Sequence, residues 1–194
     1  MPLHLIRHTQ PAVPPGLCYG RLDVALADSF SDELASLRTK LSALGASHYP
    51  VISSPSTRCL HLAQSLCAET HDNAQNDARL MELDFGDWEG KAWSEIDSPE
   101  ARHWGDHWQT ARCPNGESLA DLLARLRDCW QALPANDLLV ISHAGPLRAS
   151  LHLLTGLSLQ QAFVRPIAFG EIITLPGNPL PLRQNPLGHT GLSP

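Results

Sequence analysis

The sequence predicts an α/β domain built as a three-layer sandwich, a mostly parallel central sheet with helices on both faces. Three observations predict it. The stretch Asp137-Leu138-Leu139-Val140-Ile141-Ser142 is apolar without alternation, as a central strand covered on both faces must be. Leucines recur at spacings of three and four in two other stretches, giving each a single apolar helix face. Short apolar runs and helical runs alternate: strand, helix, strand, helix, strand or loop, helix, strand, helix, strand.

Size and composition agree with that class. The 194 residues suit one domain with a real core, expected over residues 1–175, followed by a poorly ordered proline- and glycine-rich tail over 176–194. No apolar run approaches the roughly 20 residues of a membrane span. The N-terminus lacks a signal-peptide pattern, which predicts a cytoplasmic protein. The five cysteines are scattered with no CxxC pair, so neither a disulfide frame nor a structural zinc site is indicated. A net charge of −6 argues against a nucleic-acid surface. It leaves room for a small anionic substrate in a locally basic pocket.

The first strand, Leu3-His4-Leu5-Ile6, runs directly into Arg7 and His8. Catalytic groups in α/β folds sit where the carboxyl end of a strand meets a loop. An arginine and a histidine there can hold a phosphate and attack it; the alternative is an exposed strand end. Residues 10–16 then carry three prolines and a glycine, which fits a loop. A long irregular stretch after a strand end is a candidate binding loop, with Gln10, Tyr19, Gly20 and Arg21 as candidate substrate contacts.

Ser29 or Ser31 can cap a helix over about residues 30–44, with Leu34, Leu37, Leu41 and Leu44 on its apolar face and Gly45 closing it. Residues 50–54 read as a second strand, and Ser54-Pro55-Ser56 opens a helix over about residues 55–69. Arg58 falls in its first turn, where a cation opposes the helix dipole unless an anion binds nearby. Residues 70–78 read as loop. In Arg79–Gly90, apolar residues alternate with four carboxylates. Glu82 lies between Met81 and Leu83, where desolvation would favour a protonated, acid form.

His103 and His107 would share a helix face within a tryptophan-rich segment over 91–113. The glutamate that a metalloprotease helix carries after its first histidine is missing, so no metal site is expected there. A helix over about 117–132 buries Leu119, Leu122, Leu123, Leu126 and Trp130. The strand over 137–142 delivers His143 to a helix start near Pro146, read as a first-position proline. A histidine at such a join can meet an anion. A helical turn near 158–163 and a last strand over 169–175 complete the order.

Arg7, His8, Arg58, Glu82 and His143 therefore lie at strand ends or helix starts that a parallel sheet can bring to one edge. Together they could turn over a phosphate monoester. The arginines bind the oxygens and His8 attacks phosphorus. His143 donates to another oxygen, and Glu82 protonates the leaving alcohol. No cofactor is required, and no acidic cluster suggests Mg²⁺.

At these residues the chain resembles the histidine phosphatase superfamily, in its phosphoglycerate-mutase-like branch. LIRHT is similar to the family's strand-end motif, with Arg7 and nucleophile His8. CYGRLDVAL resembles its glycine-containing loop. SSPSTRCLHLA matches the segment of the second phosphate arginine, Arg58. LMELDFGDWEG is similar to the segment of the proton donor, Glu82. VISHAGPLR matches the segment of the second histidine, His143. The pieces occur in family order over residues 3–175. Thr9 stands where the family usually has glycine, and Ala144 replaces the first glycine of its usual His-Gly-Gly. RHTQP followed by GLCYGRLD looks most like the α-ribazole phosphatases. That resemblance implies hydrolysis of α-ribazole 5′-phosphate in cobalamin nucleotide-loop assembly. The competing expectations are a broad sugar-phosphate or nucleotide phosphatase, a phosphoglycerate mutase, or a binding module that kept the fold. No GxSxG elbow supports a serine hydrolase.

Overall fold

The structure, a computed structural model, describes residues 2–68 and 73–176. Leu3–Arg7 forms β1, Phe30–Ala43 α1, Val51–Ser53 β2, Thr57–Cys67 α2 and Gln75–Asn76 β3. Three short 3-10 turns lead to Pro99–Asp106 (α3) and Leu119–Ala132 (α4). Leu138–Ser142 (β4), Ala144–Thr155 (α5), Leu159–Val164 (α6) and Ile172–Leu175 (β5) follow.

The sheet order is β3-β2-β4-β1-β5, parallel throughout except that β5 runs antiparallel to β1. Every residue of β4 is buried, as its unbroken apolar run predicts. The two-residue strand period sorts the core into two layers. Leu3, Leu5, Leu138 and Val140 join Leu122, Leu126 and Trp130 of α4 and Leu147 and Leu151 of α5. Ile6, Leu139 and Ile141 join Leu37 and Leu41 of α1 and Leu62 and Leu66 of α2. Neighbouring strands β1 and β4 thus feed helices on opposite faces, which opens a crevice at their carboxyl ends. Among the described residues no helix is long and apolar enough to cross a membrane.

Several expectations need correcting. Leu44 is 45% exposed, because α1 has ended and the chain turns at Gly45 with φ +68°. Residues 79–90 form turns and loop, and the strand is the two-residue β3 before them. Helix α5 begins at Ala144 with His143 as its cap, so Pro146 sits in the third position, where an N–H would be unpaired in any case. Ser29 precedes α1, but its hydroxyl donates to Glu33 (2.6 Å) and accepts no backbone N–H. Of the expected tail, residues 177–194 lie outside the described residues.

Candidate active site

Register builds the site. Arg7 pairs with Ser142 across the parallel β1–β4 ladder, so the next residue of each strand, His8 and His143, stands at the same level of the crevice. Both histidines are buried, and their ring centroids lie 5.1 Å apart in an edge-on arrangement.

The His8 ring has one assignable tautomer. Its Nδ1 lies 2.6 Å from the Thr9 carbonyl oxygen, which can only accept, so Nδ1 carries the hydrogen and Nε2 the free lone pair. Burial, then the charges of Arg58 and Arg7, push its pKa down to about 3 against the pull of that hydrogen bond. His8 is therefore an uncharged nucleophile at any working pH. His143 is held well below the usual imidazole range by burial, then by His8 and Arg58. Its Nε2 lies 2.9 Å from the Ser54 hydroxyl. That hydroxyl also lies 3.3 Å from the Ser56 hydroxyl, which is itself 3.4 Å from His143 Nε2.

Arg58, in the first turn of α2, is wholly buried. Its terminal nitrogens donate to the carbonyls of Gly20 (2.7 Å) and Leu22 (2.9 Å), and its guanidinium faces the Tyr19 ring at 5.1 Å. Arg7 donates to the Ile167 carbonyl (2.6 Å) and stacks 3.7 Å over Phe169. Among the described residues, the Nε atoms of both arginines and the Thr9 hydroxyl are buried without a partner. An unpaired buried polar group costs about 1–3 kcal/mol. Such unpaired groups, together with two guanidinium charges that both act on His8, suit a bound anion that would satisfy them.

Glu82 reaches the same crevice from the loop after the first 3-10 turn. One carboxylate oxygen accepts from Gly145 N–H at 3.3 Å and the other from Leu83 N–H at 2.9 Å. Gly145 has to be small: a Cβ there would lie 2.2 Å from the Glu82 carboxylate. The Glu82 carbonyl is gripped by Arg125 (3.0 Å) and Arg21 (3.3 Å), and both arginines pair with Glu117. The structure thus brings Arg7, His8, Arg58, Glu82 and His143 together.

The binding-loop candidates fare differently. Gly20 lends its carbonyl to Arg58 and Tyr19 its ring, whereas Gln10 is exposed. The Arg21 guanidinium is taken up by Asp84 (3.3 Å), Glu117 (2.7 Å) and the Glu82 carbonyl, which makes it a brace. Sequence reasoning passed over Arg125, Glu117 and Glu89. The Glu89 carboxylate accepts from the backbone of Arg21 (2.8 Å), Leu22 (2.9 Å) and Phe85 (3.0 Å), and so shapes the loop. It also passed over Arg148, although the segment VISHAGPLR that marked His143 contains it.

His103, on α3, and His107, the residue just past its end, stack their rings at 4.4 Å. His107 Nδ1 is occupied by the His103 carbonyl at 3.0 Å. Among the described residues no group of three or more His, Cys, Asp or Glu could hold a metal ion. All five cysteines are buried.

Comparison with known proteins places this geometry. The family model for the histidine phosphatase superfamily (branch 1) matches residues 3–176. A protein of Hydrogenobacter thermophilus that carries the provisional name phosphoserine phosphatase 2 is 28% identical over 81% of this chain and 80% of its own. The adenosylcobalamin/α-ribazole phosphatase of Escherichia coli is 29% identical, over 81% of this chain and 80% of its own. The crystal structure of the α-ribazole phosphatase from Shigella flexneri shares the fold, with a TM-score of 0.81 over 90% of this chain and 89% of that one, at 24% identity.

Proposed function

The chain belongs to branch 1 of the histidine phosphatase superfamily and is a phosphatase, and from that premise we propose that it hydrolyses phosphate monoesters through a phosphohistidine on His8. The observation that carries this reading is the His8 ring itself: Nδ1–H fixed on the Thr9 carbonyl, Nε2 free, with the buried Arg58 and the half-buried Arg7 alongside.

The steps follow from the groups present. Arg7, Arg58 and a proton-bearing His143 hold the three peripheral phosphoryl oxygens and stabilise charge spread over them in transfer. His8 Nε2 attacks phosphorus in line; the P–N bond forms as the P–O bond to the alcohol breaks. Glu82 gives its proton to the departing oxygen. Water then attacks phosphorus, Glu82 takes its proton, the P–N bond breaks, and phosphate leaves. The positive charge comes from the chain's own side chains, so no metal ion is needed for these steps.

The substrate we propose is α-ribazole 5′-phosphate. Its support is the loop resemblance and the likeness to the Escherichia coli enzyme of that name. An equally distant relative named for phosphoserine supports a second reading, a small-molecule phosphatase of other or broader specificity. A phosphate-release screen containing α-ribazole phosphate, phosphoserine, 3-phosphoglycerate, sugar phosphates and nucleotides tests the choice. A kcat/KM for α-ribazole phosphate no higher than for the rest would refute that substrate. Quenching in alkaline detergent during turnover of ³²P-labelled substrate tests the mechanism. Label should be acid-labile, base-stable and absent from His8→Ala, and label on a serine or aspartate would sink the phosphohistidine.

A further inference from the structure

The loop after β1 leaves little to grip the alcohol half of a substrate, since Arg21 is committed to carboxylates and Gln10 points to solvent. A cleft lined in part by Glu82 and Gly145 offers more. Its volume of about 390 Å³ falls within the roughly 300–1,000 Å³ of sites for drug-sized ligands. Its walls include Leu83, Phe85, Trp104, Trp108 and Phe163, supplied by α3, the turn that follows it, α6 and the segment around Glu82. The Trp108 and Phe163 rings stand 5.0 Å apart at 41°, and Trp104 meets Phe85 edge-on at 6.2 Å. One cation enters this frame. Arg148, on α5, is half-buried; its Nε donates to the Arg165 carbonyl (2.9 Å), and its terminal nitrogens have no partner among the described residues.

We propose that this cleft receives the leaving alcohol and selects one built on a planar aromatic ring system, with Trp108 and Phe163 as specificity-determining residues and Arg148 supplying the one charged contact. The proposal rests on the reading of Glu82 as the acid at the leaving oxygen, because Glu82 lines the cleft. A flat ring laid against these aromatic walls removes apolar surface from water. A small carboxylated alcohol such as serine or glycerate could pair with Arg148, yet it would leave those walls unfilled.

The test compares 2-naphthylmethyl phosphate with glycerol 3-phosphate and phosphoserine, alkyl esters whose leaving alcohols all need a proton. Wild-type kcat/KM should favour the naphthylmethyl ester by about 10²-fold or more, the scale of filling a pocket with several carbons. Trp108→Ala and Phe163→Ala should each shrink that ratio about 10-fold. A wild-type ratio near one, or a preference for phosphoserine, overturns the proposal without any need for a variant. Ratios unchanged in the folded variants overturn it as well. Label on His8 is followed in the same reactions. If the ratio fails while His8 is labelled by all three esters, the cleft is wrong and the phosphohistidine chemistry stands. If no ester labels His8, the underlying chemistry falls and takes this proposal with it.

Discussion

The imidazole rings of His8 and His143 meet edge-on in the crevice between β1 and β4, with centroids 5.1 Å apart. Neither ring can take a proton there easily, since each is buried beside the other and beside Arg58. An arriving phosphate changes the balance, because its negative charge favours protonation of His143, which can then donate to it.

Stability should therefore fall in mild acid. The unfolded His8 titrates near its ordinary value of 6.5 and the folded one at about 3, so between those values the unfolded chain binds more protons. The stability is fully present above pH 6.5 and is lost as pH drops toward 3, by up to about 1.4 kcal/mol per pH unit for each such group. Urea midpoints at pH 7 and pH 5 should separate less for His8→Gln than for wild type, carboxylates contributing alike to both. Equal losses in the two proteins would contradict a buried, neutral His8.

Much of this site was legible because its residues follow apolar runs whose ends are easy to read. The fully buried β4 announces His143, and the strand starting at Leu3 announces Arg7 and His8. What the sequence hides is pairing at long range. Arg21 reads as a spare cation beside a phosphate site until folding brings Asp84 and Glu117 to it from 63 and 96 residues away. The strand β3 is two exposed polar residues with no apolar pattern to mark it. The start of α5 was misplaced because its cap, His143, makes none of the side-chain bonds that betray a capping serine or aspartate. The importance of Arg148 depends on α3 and α6 closing a cleft around it, which no local spacing reveals.

Arg58 should act on transferring charge as well as on binding. Arg58→Ala should lower kcat/KM by about 10²-fold or more, the scale of losing a fixed electrostatic donor. Arg58→Lys should recover little, because one ammonium cannot replace a planar fork that also holds the carbonyls of Gly20 and Leu22. A lysine variant near the wild-type rate would place Arg58 outside reach of the phosphate.

Turnover should proceed without a divalent metal. Arg7, Arg58 and His143 can supply the positive charge that Mg²⁺ supplies elsewhere. Activity in EDTA should equal that in untreated enzyme. Loss in chelator with recovery in Mg²⁺ or Zn²⁺ would contradict this, and would return attention to His103 and His107.

The paired arginines behind Glu82 should behave as positioning residues. Arg125 contacts both Glu117 oxygens (2.9 and 3.0 Å) while holding the Glu82 carbonyl at 3.0 Å. Removing it loosens the carboxylate from the leaving oxygen, and small misplacements of this kind can cost about 10²-fold. Arg125→Met should lower kcat for alkyl phosphates about 10-fold or more with little change in KM. A KM effect alone, or an equal loss for nitrophenyl phosphate, would reduce Arg125 to a structural prop.

Glu82 itself separates the acid from the nucleophile. A general acid matters in proportion to how badly the leaving group needs a proton. The alcohol of an alkyl phosphate, α-ribazole phosphate included, has a high pKa and cannot leave as the bare alkoxide. A nitrophenolate has a low pKa and can depart unprotonated. Glu82→Gln keeps the bulk of the side chain and removes the proton, so it should slow phosphorylation of His8 far more with the alkyl ester than with the nitrophenyl ester. Steady-state rates can mask the difference, because water attack on the phosphohistidine also needs a base at this position. Single-turnover phosphorylation of His8 with both esters isolates the first step. An equal fall for the two would remove Glu82 from the acid's role. Asp84 and Asp87 would then be the groups to change next, although Asp84 already pairs with Arg21 and Asp87 with Asn115.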